Sequence, residues 1–408
     1  MKTLLMAWRN LLRQKRRTLI TLSALIVGLC GVVVFQGYIT SLMQGFRDST
    51  IRSGIGHLQI AASAAYFEDG EFNPYAYALN DSPALLARLQ KDPGVRAAFP
   101  STGFTAIAGL ADKSVTLLVK AYPAERMFFR APDSRALAPE DRFELGTLVA
   151  GSAPRPEERD RIVLGETAAR ILGAQPGAVV TLMAILPDGG LNGRDFTVSG
   201  IYQSSGRDKI FAFTDYDTAV DFTGMPGAAA VHVIATSIPA VGSIAARIPP
   251  GLAVRTWHDL ATYFVQVNTM FNGFLTVIRA IILLVTLFIM ANTMNRIVRE
   301  RMSEWGTLRA MGTKKSRILL LVILEGCLQG LVGAFLGILL GFGVSALLNL
   351  GGGLPFVNAG QRIVVKLALS GQSVWWNVLP AALFASAASL LPGLRAVRLS
   401  PSECLRQL

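Results

Sequence analysis

Residues Thr18 to Phe46 read TLITLSALIVGLCGVVVFQGYITSLMQGF, a run without one charged side chain whose first part, Leu19 to Phe35, is almost continuously apolar. A helix needs roughly 20 such residues to cross the hydrocarbon layer of a bilayer, so this stretch reads as a membrane span. Basic residues precede it, as they would a secretory signal, but a signal's apolar core is only about 7–15 residues long and ends at small residues. Here the run is too long and passes into Gly37-Tyr38-Ile39 and Leu42-Met43 with no such site. It reads as a retained anchor.

Working outward, three further apolar runs follow. Phe271 to Asn295 is interrupted only by Arg279, Ile318 to Leu350 only by Glu325, and Val374 to Leu394 carries Pro380 and Pro392 but no charge. Membrane helices tolerate such prolines when neighbours satisfy the freed backbone. The composition agrees: of 408 residues 51% are hydrophobic and 16% charged, against about 25% charged in an ordinary soluble domain. The reading is an α-helical membrane protein with four transmembrane helices in a one-plus-three layout, and a large α+β extracytoplasmic domain between spans one and two.

Charge sets the expected orientation. The net charge of +12 would suggest nucleic acid if it formed one patch, but it is split by segment. The pieces 1–17, 296–317 and 395–408 hold 16 basic and 3 acidic residues, whereas 46–270 holds 20 basic and 23 acidic. Basic residues beside spans mark the cytoplasmic side. The expected order is therefore a cytoplasmic amphipathic segment 1–17, span 18–45, an outer domain 46–270 and span 271–295. A cytoplasmic loop 296–317, span 318–350, an outer loop 351–373, span 374–394 and a cytoplasmic tail 395–408 complete it, with both termini inside. Nucleic acid is excluded as a partner. Cys30 and Cys327 fall in spans and Cys404 in the tail, leaving the outer domain without cysteine; at roughly 225 residues it can bury its own core unaided.

Within the outer domain, Ser82-Pro83 caps a helix to Leu89. Strands Phe104–Leu110 and Val115–Ala121 flank a turn at Ala111-Asp112-Lys113. A helix Glu166–Leu172 stops at Gly173, and strands follow at Val179–Ile185 and Phe196–Tyr202. Thr214-Asp215 caps a helix to Phe222, with a strand at Ala230–Ala235 after it. This pattern suggests two subdomains, with Ala131 to Asp160 as a variable insert. His57, His232 and His258 lack metal-ligand spacing, and Ser199-Gly200 lacks the Gly-x-Ser-x-Gly elbow. No catalytic or metal site is expected, and His232, in mid-strand, reads as structural.

The loop after span two is richer. It reads Arg296-Ile297-Val298-Arg299-Glu300-Arg301-Met302-Ser303-Glu304-Trp305-Gly306-Thr307-Leu308-Arg309-Ala310-Met311-Gly312-Thr313-Lys314-Lys315. Glu300 and Glu304 are one helical turn apart, which places both carboxylates on one face. Leu308 and Met311 supply an apolar spot, and Gly306 and Gly312 turn the chain. A loop anchored to anionic lipid would explain the arginines and lysines, but not the two glutamates or the glycines.

The pattern Arg299-Glu300-Arg301-x-x-Glu304-x-Gly306-x-Leu308-Arg309-Ala310-x-Gly312 resembles the segment after the second span in FtsX-like, MacB-type ABC transporter permeases. Three other stretches are similar to that family: Trp8-Arg9-Asn10-Leu11-Leu12-Arg13; Ile162-Val163-Leu164-Gly165-Glu166 with Leu172-Gly173, Gly177 and Val198-x-Gly200-Ile201; and Pro392-Gly393-Leu394-Arg395-Ala396-Val397-Arg398-Leu399-Ser400-Pro401. The resemblance implies a non-catalytic permease subunit in a bacterial inner membrane, paired with a second permease chain as a homo- or heterodimer. ATP and Mg would be held by a separate ATP-binding subunit. No Gly-x-x-x-x-Gly-Lys-[Ser/Thr] occurs in this chain, so free-standing LolC/LolE-like subunits are the nearer likeness.

By the same resemblance Glu300, Arg301, Glu304, Gly306, Arg309 and Gly312 form the ATPase-coupling segment, and hydrolysis drives movement outside the membrane (mechanotransmission). The implied cargo is a lipoprotein, lipid, peptide or amphiphile, with a periplasmic adaptor as a further partner. The alternatives are an FtsX-like transducer of a cell-wall hydrolase and a membrane-anchored sensor with no ATPase.

Two features of the spans stand apart from the resemblance. Gly326, Gly330, Gly333, Gly337 and Gly341 fall within an arc of roughly 80° on span three, a packing face for a helix of this chain or of a second permease. Arg279 and Glu325 would differ in depth by roughly 14 Å at ~1.5 Å per residue, too far to pair. Arg279 is expected to reach the outer interface, and Glu325 to serve either function or a structural hydrogen bond.

Overall fold

The structure, a computed structural model, describes residues 15–70, 73–131, 134, 138–204, 210–358, 361–368 and 371–398, together with Met6 and Arg9. The rest of the N-terminal segment, including most of Trp8 to Arg13, lies outside the described residues, as do Leu399-Ser400-Pro401, Cys404 and the remainder of the tail.

The first apolar run lies within one helix, α1 (Lys15–Thr50), which continues into a wider turn at Ile51–Ile55. Gly54 (φ +105°) and Gly56 (φ +76°) end it, conformations that side chains on Cβ disfavour. The outer domain follows, beginning with β1 (Leu58–Ala61), α2 (Ser82–Leu89), β2 (Val95–Leu110), β3 (Lys113–Tyr122), β4 (Met127–Arg130), β5 (Phe143–Gly151) and β6 (Arg161–Gly165). Then come α3 (Glu166–Leu172), β7 (Val179–Ile185), β8 (Leu191–Gln203), β9 (Phe211–Asp215), α4 (Tyr216–Thr223), β10 (Ala230–Ala235), α5 (Ala240–Ala245) and β11 (Ala253–Thr256).

These eleven strands form one mixed sheet in the order β11-β1-β10-β2-β3-β9-β6-β8-β5-β4, with β7 bridging β2 and β8. The sheet is continuous because β2 is long enough to serve twice: Val95–Ser101 pairs with β10, and Thr102–Leu110 with β3. That corrects the expectation of two subdomains. β7 alternates, with Val180, Leu182 and Ala184 buried and their neighbours exposed, as a strand with one solvated face should. All six residues of β10 are buried. Ser82 begins α2 and does not cap it; Asp81 stands at the cap position without a side-chain bond. Asp215 does cap α4, accepting from the Asp217 amide at 3.1 Å. The stretch Ala131 to Asp160 is more than an insert, since it contains β5, whose Phe143 and Leu145 are buried and whose backbone pairs with β8.

An aromatic cluster of Phe99, Tyr122, Phe129, Phe143, Tyr202 and Phe213 surrounds part of this sheet. Against it lies His232, 4% exposed. Its Nδ1 donates to the Ile55 carbonyl (3.2 Å), which leaves Nε2 to accept from the Ser101 hydroxyl (2.8 Å). The histidine is structural, as its mid-strand position suggested.

The remaining unit is helical: α6 (Thr262–Glu300), α7 (Met302–Ala310), α8 (Lys315–Leu350), a hairpin of β12 (Leu354–Asn358) and β13 (Gln361–Val365), and α9 (Gln372–Arg398). Among the described residues four helices, α1, α6, α8 and α9, are long and apolar enough to cross a membrane, and all four extend beyond the apolar runs that announced them. The apolar stretch of α6 is 17% buried against 44% for α9, which makes α6 the peripheral helix and leaves Phe274, Ile281 and Phe288 exposed.

The glycine row of α8 faces two neighbours in turn. A Cβ at Gly326 would stand 2.6 Å from Ser389 Oγ, and one at Gly330 2.5 Å from Ala385 Cβ, both on α9. Gly333 abuts Leu25; at Gly337 a Cβ would meet the Ile26 carbonyl and Leu29 Cβ at 3.0 Å, and at Gly341 Val33 Cβ at 2.8 Å, all on α1. The packing these glycines make is thus within the chain, with backbones close because side chains are missing. At the far end of α8, Asn349 accepts from the Leu367 amide at 2.7 Å, and the Ala368 amide donates to the Gly37 carbonyl at 3.1 Å.

Two predictions follow from this packing. Gly337→Leu should cost about 1–3 kcal/mol or more by overpacking and lower the thermal stability and monodispersity of the purified chain. Gly343→Leu, at a position open to at least 4 Å, should leave both unchanged. For His232, burial pushes the pKa from 6.5 to about 4; the Ile55 carbonyl opposes this shift and Lys120 adds to it. The unfolded chain then binds the extra proton between these two values, so stability is full above pH 6.5 and falls as pH drops towards 4. The loss amounts to about 3 kcal/mol. Melting of the full chain across this range should show the fall, and His232→Gln should lessen it, leaving the part that His57, also lowered to about 4 by burial, contributes.

Candidate functional site

Helix α6 ends at Glu300 because Arg301 leaves helical geometry (φ −105°, ψ 13°). The helix α7 then starts at Met302 and closes at Gly312. There the Gly312 amide bonds the Arg309 carbonyl and the Thr313 amide the Leu308 carbonyl, both at 3.0 Å, with Gly312 at φ +89°. That pairing is the Schellman stop, which favours glycine. Gly312 therefore turns the chain as expected. Gly306 does not: it sits inside α7, buried beside Trp305.

Arg301 is the centre of the site. Its Nε donates to Glu304 Oε2 at 2.9 Å and its Nη1 to Glu325 Oε1 at 2.9 Å. Its guanidinium carbon also lies 5.6 Å from the centre of the Trp305 ring. The Arg301 and Glu325 side chains are only 14% and 4% exposed. Burial acts against the arginine's charge, but Glu325 and Glu304 outweigh it and hold its pKa above the ordinary value. Below this ion pair Trp305, 2% exposed, packs with Val298 of α6 and with Ile318 and Val322 of α8. Charge and apolar contact thus fasten α7 to both long helices it connects.

The other side of α7 is open. Glu304 keeps half its side chain exposed, and Leu308 and Met311 are 39% and 71% exposed. The surface combines a carboxylate with two apolar side chains on a short, fixed helix. The break at Arg301 lies between Glu300 and Glu304, and Glu300 accepts from Arg296 Nε at 3.2 Å.

Glu325, placed in the sequence as an acid needing a partner, finds it in Arg301. The signal was present, since a buried carboxylate calls for a cation at its own depth and Arg279 is too far along. Trp305 carries a signal of its own, as the one large aromatic in a charged segment. Arg279 turns towards Gln36 (Nη2 to Oε1, 3.4 Å), and Asn377 Nδ2 donates to that same oxygen at 3.3 Å. It therefore joins a polar node among α1, α6 and α9.

Comparison with known proteins agrees with this architecture. Residues 18–256 match the family model for the MacB-like periplasmic core domain, and residues 276–401 that for the FtsX-like permease C-terminal region. An uncharacterized ABC transporter permease protein of Mycobacterium tuberculosis is 27% identical over 201 residues, covering 47% of this chain and 23% of that protein. The lipoprotein-releasing system transmembrane protein LolC of Haemophilus influenzae is 25% identical over 261 residues, covering 62% and 65% respectively. The chain thus spans less than two thirds of either relative's length. The crystal structure of the periplasmic region of MacB from Actinobacillus actinomycetemcomitans matches at 14% identity and a TM-score of 0.36, covering 52% of this chain and 94% of that one. With 239 of its 408 residues inside the first family model, this multi-pass membrane chain belongs to the FtsX-like, MacB-type ABC transporter permease family.

Proposed function

We propose that the chain is a transmembrane subunit that couples ATP hydrolysis in a separate ATP-binding subunit to movement of its outer domain. The observation that carries this reading is the fixing of α7 to α6 and α8 through Arg301 and Trp305, with Glu304, Leu308 and Met311 left outward. A helix that receives a push must be tied to the elements it moves. It must also offer its partner a surface. α7 meets both requirements.

The charge split along the chain supports placing α7 and both termini in the cytoplasm, which puts the outer domain on the far side of a bacterial inner membrane. ATP and Mg belong to the partner in this reading. Arg309, on the last turn of α7, and Gly312, which stops it, complete the docking segment. A second permease chain, identical or related, pairs with this one. The cargo class is a lipoprotein, lipid, peptide or amphiphile; LolC's place in a lipoprotein-releasing system supports the first of these by analogy.

Co-purification from the native host tests the docking surface. Leu308→Asp together with Met311→Asp, which leave Arg301 and both its carboxylates in place, should strongly reduce recovery of an ATP-binding subunit while the chain itself stays folded; undiminished recovery would remove α7 from the interface. Glu325→Gln tests the tie. Removing one partner of a buried ion pair costs about 3–5 kcal/mol, less here because Glu304 still holds Arg301. Hydrogen exchange across 302–310 should rise in Glu325→Gln and return towards wild type in the swapped pair Arg301→Glu with Glu325→Arg. No change in exchange would mean the pair does not hold α7.

A further inference from the structure

The outer domain holds a charged cleft of about 220 Å³ that coupling leaves unused. Three segments of the outer unit Phe46–Gln266 meet there. Arg52 lies on the wide turn Ile51–Ile55, His57 immediately before β1, and Arg142 immediately before β5. The His57 backbone is fixed on both sides: its amide donates to the Val233 carbonyl at 2.9 Å, and its carbonyl accepts from the Trp257 amide at 3.0 Å. Two carboxylates on the wall are matched within the chain, Asp48 by Arg47 at 2.8 Å and Glu140 by Arg96. Arg52 gives one N–H to the Ala138 carbonyl at 3.0 Å. Among the described residues, neither Arg52 nor Arg142 forms an ion pair, and Arg142 Nε and His57 Nδ1 are buried without a hydrogen-bond partner. A buried N–H left unpaired is costly, so these groups call for an acceptor from outside the chain.

Charge narrows what that acceptor is. Burial pushes His57 to about 4; Asp48 opposes this, and Arg47, Arg52 and Arg96 add to it. The imidazole is therefore neutral at pH 7, and the surplus charge is that of two guanidinium groups. Such forks match the oxygens of carboxylates and phosphates. A carboxylate or a phosphodiester brings a single negative charge and would leave one fork unmatched. A terminal phosphate brings about −1.5 to −2 near pH 7 and three strong acceptor oxygens, enough for both forks and an imidazole N–H. The cleft has room for several waters, and so for a polyatomic anion of this kind.

We propose that Arg52 and Arg142, with His57 Nδ1, bind a terminal phosphate group in this cleft, as the free ion or as a monoester. Phenylglyoxal modification of individual arginines, mapped by mass spectrometry on the full-length chain in dodecyl maltoside, tests this. Inorganic phosphate should slow modification of Arg52 and Arg142 severalfold and leave the exposed Arg255 unchanged, whereas sodium acetate at matched ionic strength should protect neither. Phosphatidic acid, mixed into the micelles, presents the same group on a lipid. Protection by inorganic phosphate assigns the ligand to a soluble molecule, and protection by phosphatidic acid alone assigns it to a lipid monoester. In Arg52→Gln the probe concentration that half-protects Arg142 should rise about tenfold or more, as expected for lost charge-assisted bonds. Failure of both probes to protect would overturn the proposal. So would equal protection by acetate, or an unchanged midpoint in an Arg52→Gln chain that melts like wild type. If that variant does not fold, the wild-type protection pattern decides alone.

Discussion

A guanidinium held between two carboxylates, one half exposed and one almost fully buried, is the constraint on which the helical unit turns. Arg301 could not sit 14% exposed beside Glu325 unless its charge were matched, because an unpaired buried ion is far costlier than the pair. The pairing sets where α6 stops, how α7 folds back and which face of α8 receives it. Trp305 then adds apolar contact beneath the ions, so that neither interaction acts alone. The outcome is a short helix whose position is decided by its two long neighbours and whose outer surface is free to meet another protein.

The spans themselves are held by different means. Lipid tails are as apolar as leucine, so burying leucine against leucine gains little within a bilayer, and close backbone packing with a few polar contacts must serve. α8 provides the first through five glycines, two against α9 and three against α1. Gln36 provides the second by accepting from both Arg279 and Asn377. The outer domain follows the rules of soluble proteins, with one sheet, an aromatic cluster around His232 and helices capped by Asp215 and stopped at Gly173.

How much of this was legible in the sequence depended on the range of the interactions involved. The spans could be read because a charge-free run is a local property, and Thr18–Phe46 is unmistakable. Strand Val179–Ile185 and helix Glu166–Leu172 emerged with the expected bounds, since alternation and a glycine stop are local too. The single sheet was not legible, because it depends on β2 pairing with β10, a strand more than a hundred residues away. In the candidate site, Gly312 acted as its neighbourhood implied. Gly306 did not, because it lies buried inside α7, and the break at Arg301 came unannounced, since Arg301 contacts Glu325, 24 residues further along. Periodicity assumes a continuous helix and gives no warning of where a tertiary ion pair ends it.

The central claim, that α7 moves as one body with α8, can be measured directly. Spin labels at Ala310→Cys and Leu320→Cys, both exposed positions outside the docking residues, in a chain whose Cys30, Cys327 and Cys404 are replaced by serine, would report their separation by pulsed electron paramagnetic resonance in the assembled transporter. The account predicts one narrow distance distribution, unchanged between the nucleotide-free and ATP-bound complexes. A distribution that shifts or broadens on ATP binding would show that α7 swings independently of the helix it is meant to drive.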